Sequence, residues 1–117
     1  ETPTGRRRYL PNIISGSPRF AAEAERMAIN QPVQGFAADI IKLAMIRVRE
    51  TLSAKKMWRT GAFLLLSIHD ELLFEVRDSI INEVVGIVRD AMEHIAPLEV
   101  PLQVAVTTGR HWGELEK

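Results

Sequence analysis

Phe63-Leu64-Leu65-Leu66-Ser67-Ile68-His69-Asp70-Glu71-Leu72-Leu73-Phe74-Glu75-Val76 is the stretch on which the reading of the fold turns. Two apolar runs of strand length, 63–68 and 72–76, flank three polar residues, His69, Asp70 and Glu71. That pattern predicts a β-hairpin with a tight turn. Around it the period changes from runs to threes and fours, so the hairpin must be packed by helices.

Upstream, Phe20, Ala21, Ala24, Met27 and Ala28 predict a helix opening at Ser17 or Pro18. Pro32 is expected to end it, since the residue before a proline avoids helical angles. A second helix is expected to start beside that break, where a proline has no N–H bond to lose. Its apolar stripe is Ala37, Ile40, Ile41, Ala44, Met45, Val48 and Leu52, fading near Ser53 before a loop at Gly61. Downstream, Asp78 or Ser79 caps a helix carrying Ile80, Ile81, Val84, Val85, Val88, Met92 and Ile95, which Pro97 stops. Leu102, Val104 and Val106 alternate with Gln103 and Ala105, so a last strand is expected between Pro101 and Gly109. Residues 1–18 hold Pro3, Gly5, Pro11, Gly16 and Pro18 and read as loop, with a short extended piece at Arg8–Leu10.

The expected fold is α+β: a small antiparallel sheet, hairpin plus C-terminal strand, packed with about three helices. A three-stranded sheet leaves an apolar edge prone to further pairing. That edge, and an opening at Glu1 without Met, point to a piece of a larger protein.

Length and composition agree with one cooperative core. The chain has 117 residues, 46% hydrophobic and 26% charged, which excludes disorder over its whole length. The longest nearly apolar stretch, 62–68, is far short of the roughly 20 residues of a membrane span, so no membrane partner is expected. Cysteine is absent, which excludes disulfides and thiolate metal sites. The three arginines at 6–8 are followed by no apolar signal-peptide region. Charge is balanced at 15 and 15, but unevenly spread. Residues 1–59 hold eleven basic and five acidic side chains, and residues 60–117 hold four and ten. A basic half beside an acidic half suits a protein that holds a polyanion with one part and cations with the other. A dipolar, solvated surface accounts for the same counts.

Asp70 and Glu71 are the sharpest candidates for chemistry. At the rim of a sheet, carboxylates reach solvent and ligand, and Mg²⁺ takes such oxygens together with waters and phosphates. Two-metal phosphoryl transfer needs carboxylates bridging ions roughly 3.5–4 Å apart. Neighbours on a strand point to opposite faces, so a second carboxylate from another strand would be required. His69 is suited to a hydrogen bond with substrate or to proton transfer. His94 and His111 stand alone and read as surface or structural residues, and no histidine spacing suggests zinc.

Arg26, Asn30 and Gln34 are spaced by four. On one uninterrupted helix they would share a face. With a break at Pro32 they would line a corner instead. All three donate hydrogen bonds, and the minor groove of DNA offers acceptors on every base pair. Capping and surface ion pairs account for them equally. Arg6, Arg7, Arg8, Arg19, Lys42, Arg47, Arg49, Lys55, Lys56 and Arg59 can meet phosphates. No Walker, dinucleotide or nucleophile-elbow motif occurs, and no internal repeat.

The block 25–42, Glu25-Arg26-Met27-Ala28-Ile29-Asn30-Gln31-Pro32-Val33-Gln34-Gly35-Phe36-Ala37-Ala38-Asp39-Ile40-Ile41-Lys42, closely resembles a block of the DNA polymerase I family, the family A DNA polymerases. Ser67-Ile68-His69-Asp70-Glu71-Leu72-Leu73-Phe74-Glu75-Val76 resembles that family's motif C. Gly5-Arg6-Arg7-Arg8-Tyr9-Leu10-Pro11 and Gly109-Arg110-His111-Trp112 resemble it too, in the same order. Each motif is short, but four in register make a specific signal.

The resemblance implies the C-terminal part of a polymerase palm, residues 1–117, with the helices adjoining the fingers. It implies that Asp70 binds the catalytic metals, two Mg²⁺ ions for which Mn²⁺ can substitute, together with an aspartate from an upstream motif A. Glu71 would lie beside that site, and His69 would approach the primer end. Arg26, Asn30 and Gln34 would contact primer–template DNA in the minor groove. The partners implied are primer–template DNA, deoxynucleoside triphosphates and the remaining polymerase subdomains, in the bacterial cytoplasm. The 117 residues include neither motif A nor the nucleotide-binding fingers helix nor the thumb, so the chain alone is expected not to polymerise. Where the family usually has Thr or Ser, this chain has Phe36, which changes packing near Gln34. Two other classes fit the residues: a non-catalytic nucleic-acid-binding module that kept the palm fold, and a structural domain with a fortuitous acidic turn.

Overall fold

The computed structural model describes residues 1–96, 98 and 102–115. The chain forms two compact units, Glu1–Lys42 and Leu43–Lys117. Its elements are α1 (Pro18–Ala54), β1 (Ala62–Ile68), β2 (Glu71–Val76) and α2 (Ile81–Glu93), with 3₁₀ turns at Pro11–Ile14, Asp78–Ile80 and Trp112–Glu114.

The break expected at Pro32 is absent. Pro32 lies inside α1, which is one helix of 37 residues where two were expected. A proline in a helix interior loses one hydrogen bond and costs about 3 kcal/mol. A long helix retains its remaining bonds and its packing, and these outweigh the loss. The constraint on the residue before proline disfavours helix without forbidding it, and Gln31 is helical and buried. Two helices, with short 3₁₀ turns, therefore stand among the described residues.

In the unit Leu43–Lys117 the core is apolar. Val48 and Leu52 from α1, Ala62 from β1, and Val84 and Ala91 from α2 form one buried cluster. Met57, Trp58, Phe74, Val76, Ile80, Ile87 and Val88 pack around it. A two-stranded hairpin is marginal alone, and this packing against helices stabilises it. Where α1 ends, the Met57 amide donates to the Leu52 carbonyl at 2.8 Å and the Lys56 amide to the Ser53 carbonyl at 3.1 Å. Together they make a Schellman cap, with Lys56 in the left-handed region at φ 60.

β1 and β2 pair antiparallel, with Ala62 opposite Val76 and Ile68 opposite Glu71. The register slips between Leu64 and Leu66, which makes Leu65 a bulge. This extra residue decides the turn. Had the register of Leu64 with Phe74 continued, Ser67 would face Glu71 across a three-residue loop. The bulge moves Ile68 into the ladder instead and leaves only His69 and Asp70 at the tip. The expected three-residue turn is thus a two-residue turn, and Glu71 opens β2.

The expected last strand is not formed among the described residues. The burial alternation is present: Leu102, Val104 and Val106 are half-buried, and Gln103 and Ala105 are exposed. An extended segment becomes a strand only where a neighbour's N–H and C=O groups line up with its own. Here the Val104 amide donates to the Glu93 carboxylate at 3.0 Å, not to a strand. Among the described residues the sheet has two strands. α2 ends at Glu93, and the stop expected at Pro97 and the strand start at Pro101 lie outside the described residues.

Candidate nucleic-acid interface and acidic turn

The candidate residues fall into two groups, one in each unit. Arg26, Asn30 and Gln34 belong to the first. Because α1 is continuous, they share one helix face, and the corner expected from a break at Pro32 does not exist. All three are exposed. Their side chains make no hydrogen bond or ion pair with another described residue, so their donors are available to a ligand.

The row beside them is occupied. Met27, Gln31, Gly35 and Asp39 also recur at four, and residues 2–8 lie against them. The Arg8 guanidinium donates to the Met27 sulfur at 3.5 Å. A Cβ on Gly35 would stand 2.7 Å from Gln31 Nε2, 3.1 Å from the Thr2 methyl carbon and 3.2 Å from Arg6 Cδ. A side chain at 35 would push the Gln31 amide aside and crowd Thr2 and Arg6. Arg6 Nε and Nη2 both grip Asp39 Oδ1, at 2.8 and 2.6 Å, and the Thr4 hydroxyl donates to Oδ2. These hydrogen bonds, Arg6's first and Thr4's second, hold the Asp39 carboxyl below the ordinary carboxylate range. The same hydrogen bond and charge raise Arg6. Within the segment, the Thr2 amide donates to the Arg6 carbonyl and Gly5 turns the chain at φ 87.

Three of the basic residues able to meet phosphates have acidic partners within the chain. Arg6 is neutralised by Asp39, Arg7 pairs with Glu1 at 3.3 Å, and Lys55 pairs with Glu83 at 3.2 Å. Sequence reading missed the roles of Asp39 and Gly35. The four-residue spacing of Met27, Gln31, Gly35 and Asp39 was the available signal.

His69, Asp70 and Glu71 belong to the second unit. All three are exposed. His69 takes φ 54, a left-handed conformation in which histidine is one of the enriched non-glycine residues. That conformation lets the chain reverse within two residues and sets Asp70 at the tip of the hairpin. Its carboxylate bonds to no other described residue. Among the described residues no three His, Asp or Glu side chains gather as a metal cradle. His94 and His111 are exposed surface residues, bonded to Asp90 and Glu114.

Residues 1–114 match the model of "DNA polymerase family A". The chain is 47% identical over 112 residues to DNA polymerase I of Mycobacterium leprae, covering 96% of this chain and 12% of that protein. To the thermostable DNA polymerase I of Thermus filiformis it is 44% identical over 117 residues, covering 100% of this chain and 13% of that one. A solved structure, the POL domain of Pol1 from M. smegmatis in complex with DNA primer-template and dNTP, superposes with a TM-score of 0.90 at 46% identity. It covers 97% of this chain and 20% of that one. The chain therefore belongs to DNA polymerase family A, and it has the α+β fold expected. It spans about an eighth of the length of the curated relatives. No helix among the described residues is long and apolar enough to cross a membrane.

Proposed function

We propose that this chain is the C-terminal part of the palm of a bacterial, cytoplasmic DNA-directed DNA polymerase serving DNA replication or repair. The intact protein would extend a primer 3′ hydroxyl with deoxynucleotides on a template. The observation that carries this reading is Asp70, presented with its carboxylate free at the tip of the β1–β2 hairpin in a chain of this family.

Asp70 fits Mg²⁺ as one carboxylate of a larger donor set. Mg²⁺ is commonly bound by one or two carboxylates plus waters and substrate phosphates. In this reading the second carboxylate would be the motif A aspartate that the family resemblance implies, supplied by the intact protein. When bound, Mg²⁺ or Mn²⁺ would lower the pKa of the primer hydroxyl and stabilise charge on the transferring phosphoryl. Glu71 would stand beside Asp70 at the base of β2. His69, held at the turn by its backbone, would meet the primer end. Arg26, Asn30 and Gln34 would donate to minor-groove acceptors and so test duplex geometry without reading sequence. These positioning contacts supply the alignment that phosphoryl transfer needs. The chain by itself would not polymerise, since it carries only part of the metal site.

Primer extension by the intact protein carrying Asp70→Asn tests the reading, with duplex affinity measured in parallel. The substitution keeps shape and removes charge. Extension should fall by several orders of magnitude, about 10³-fold or more, while DNA binding persists. Extension near wild type would show that the hairpin tip is only a turn.

A further inference from the structure

Along α1, each residue of the row Arg26, Asn30, Gln34 is followed by one of the row Met27, Gln31, Gly35. The second row continues to Asp39 and serves as the dock for residues 2–8. Arg8 sits at Met27, Thr2 and Arg6 cover Gly35, and Thr4 and Arg6 hold Asp39. Residues 2–6 thus turn back on themselves over Gly35 and Asp39, and from Arg6 to Arg8 the chain heads toward the start of the helix, so Arg8 comes to lie beside the residue next to Arg26.

We propose that Asp39, with Gly35, is a positioning residue for duplex binding: by clamping Thr4 and Arg6 it presents Arg8 to a phosphate of the duplex held by the neighbouring row. The proposal rests on reading Arg26, Asn30 and Gln34 as duplex contacts. Arg6 serves as the anchor, its charge spent on Asp39, and Arg8 as the side chain presented. Three adjacent arginines on a loose loop would have to be ordered when DNA binds, at a cost in conformational entropy for each long side chain. Anchoring the first through a charge-assisted pair, and burying Thr2 against a helix that lacks a Cβ at 35, removes much of that cost in the free protein.

The sign of one substitution separates this from plain electrostatics. Removing an acidic charge beside a polyanion site tightens binding if charge alone matters. Releasing the clamp weakens it. The experiment measures affinity of the intact protein for a primer–template duplex across a salt series. Asp39→Asn should bind about three- to tenfold more weakly, the worth of one ordinary hydrogen-bonded contact. Its slope of log affinity against log salt should be shallower by about 0.9, one phosphate's share. Gly35→Ala, which alters no charge, should shift both in the same direction. Asp39→Glu should recover part of the loss. Adding Asp39→Asn to Arg8→Ala should cost nothing beyond Arg8→Ala alone. Tighter or unchanged binding by Asp39→Asn, or additive losses in the double variant, would overturn the clamp. Unchanged affinity in Gln34→Ala would instead overturn the reading of the donor row and with it a duplex held there, while an Asp39→Asn loss that vanishes on the Arg8→Ala background would still tie Asp39 to Arg8.

Discussion

The two units are held by different forces. Among the described residues of 43–117 the buried side chains are Val48, Leu52, Ala62, Val84 and Ala91, all apolar, alongside Ala44. In residues 1–42 the buried residues are Ala24, Thr2 and Gln31, and the ties are an ion pair and hydrogen bonds to Asp39. Apolar burial is not screened by salt and does not titrate with carboxylates, whereas an exposed ion pair is screened by one and abolished by the other. The lesson is that one unit is built for firmness and the other for adjustable grip.

The largest effect should come from the apolar unit. Leu52 is fully buried against the hairpin and α2. Leu52→Ala should lower the denaturation free energy by about 2–5 kcal/mol, read from the denaturant midpoint. A loss under about 1 kcal/mol would mean that the core collapses around the cavity and is softer than the contrast implies.

A local effect comes next, in the polar unit. Asp39 titrates below the ordinary carboxylate value of about 4, so its pair with Arg6 stabilises residues 1–8 fully above that value. The stabilisation is lost as the pH falls through Asp39's own, lower value. Amide exchange at Thr2, Gly5 and Arg6 should therefore speed up at acid pH relative to the intrinsic rate. Exchange at Leu52 and Val84 should not change over the same first steps. Equal loosening of both regions would erase the distinction.

The smallest effect sharpens the apolar side. Lys56 caps α1 in a left-handed conformation that glycine adopts without penalty. Lys56→Gly should stabilise by about 0.5–1 kcal/mol in the same denaturation experiment. Destabilisation would show that the lysine stem packs against something the cap requires.

Much of this was legible in the sequence, and the failures are instructive. The hairpin and α2 could be read because their apolar period reports directly on which face is buried. Ala44, Val48 and Leu52 were recognisable as one stripe for the same reason. Pro32 misled because its cost is local, and the sum of bonds over 37 residues that outweighs it is not. Alternation at Leu102–Val106 correctly gave burial but not pairing, which depends on a neighbouring strand no local pattern encodes. The bulge at Leu65 was invisible in a run of three leucines, and it alone shortens the turn to His69 and Asp70. At the site, exposed donors and the acidic tip were readable as residue types. The Arg6–Asp39 clamp joins positions 33 apart, beyond any motif.

The continuity of α1 also makes it a ruler. A helix rises about 1.5 Å per residue, so the eight steps from Arg26 to Gln34 span about 12 Å. Bases along one strand are spaced by about 3.4 Å, so that length corresponds to three or four base pairs. The donor row would therefore inspect a window of fixed length, set by an unbroken backbone through Pro32. A mismatch moved stepwise away from the primer end should slow extension within that window and be ignored beyond it.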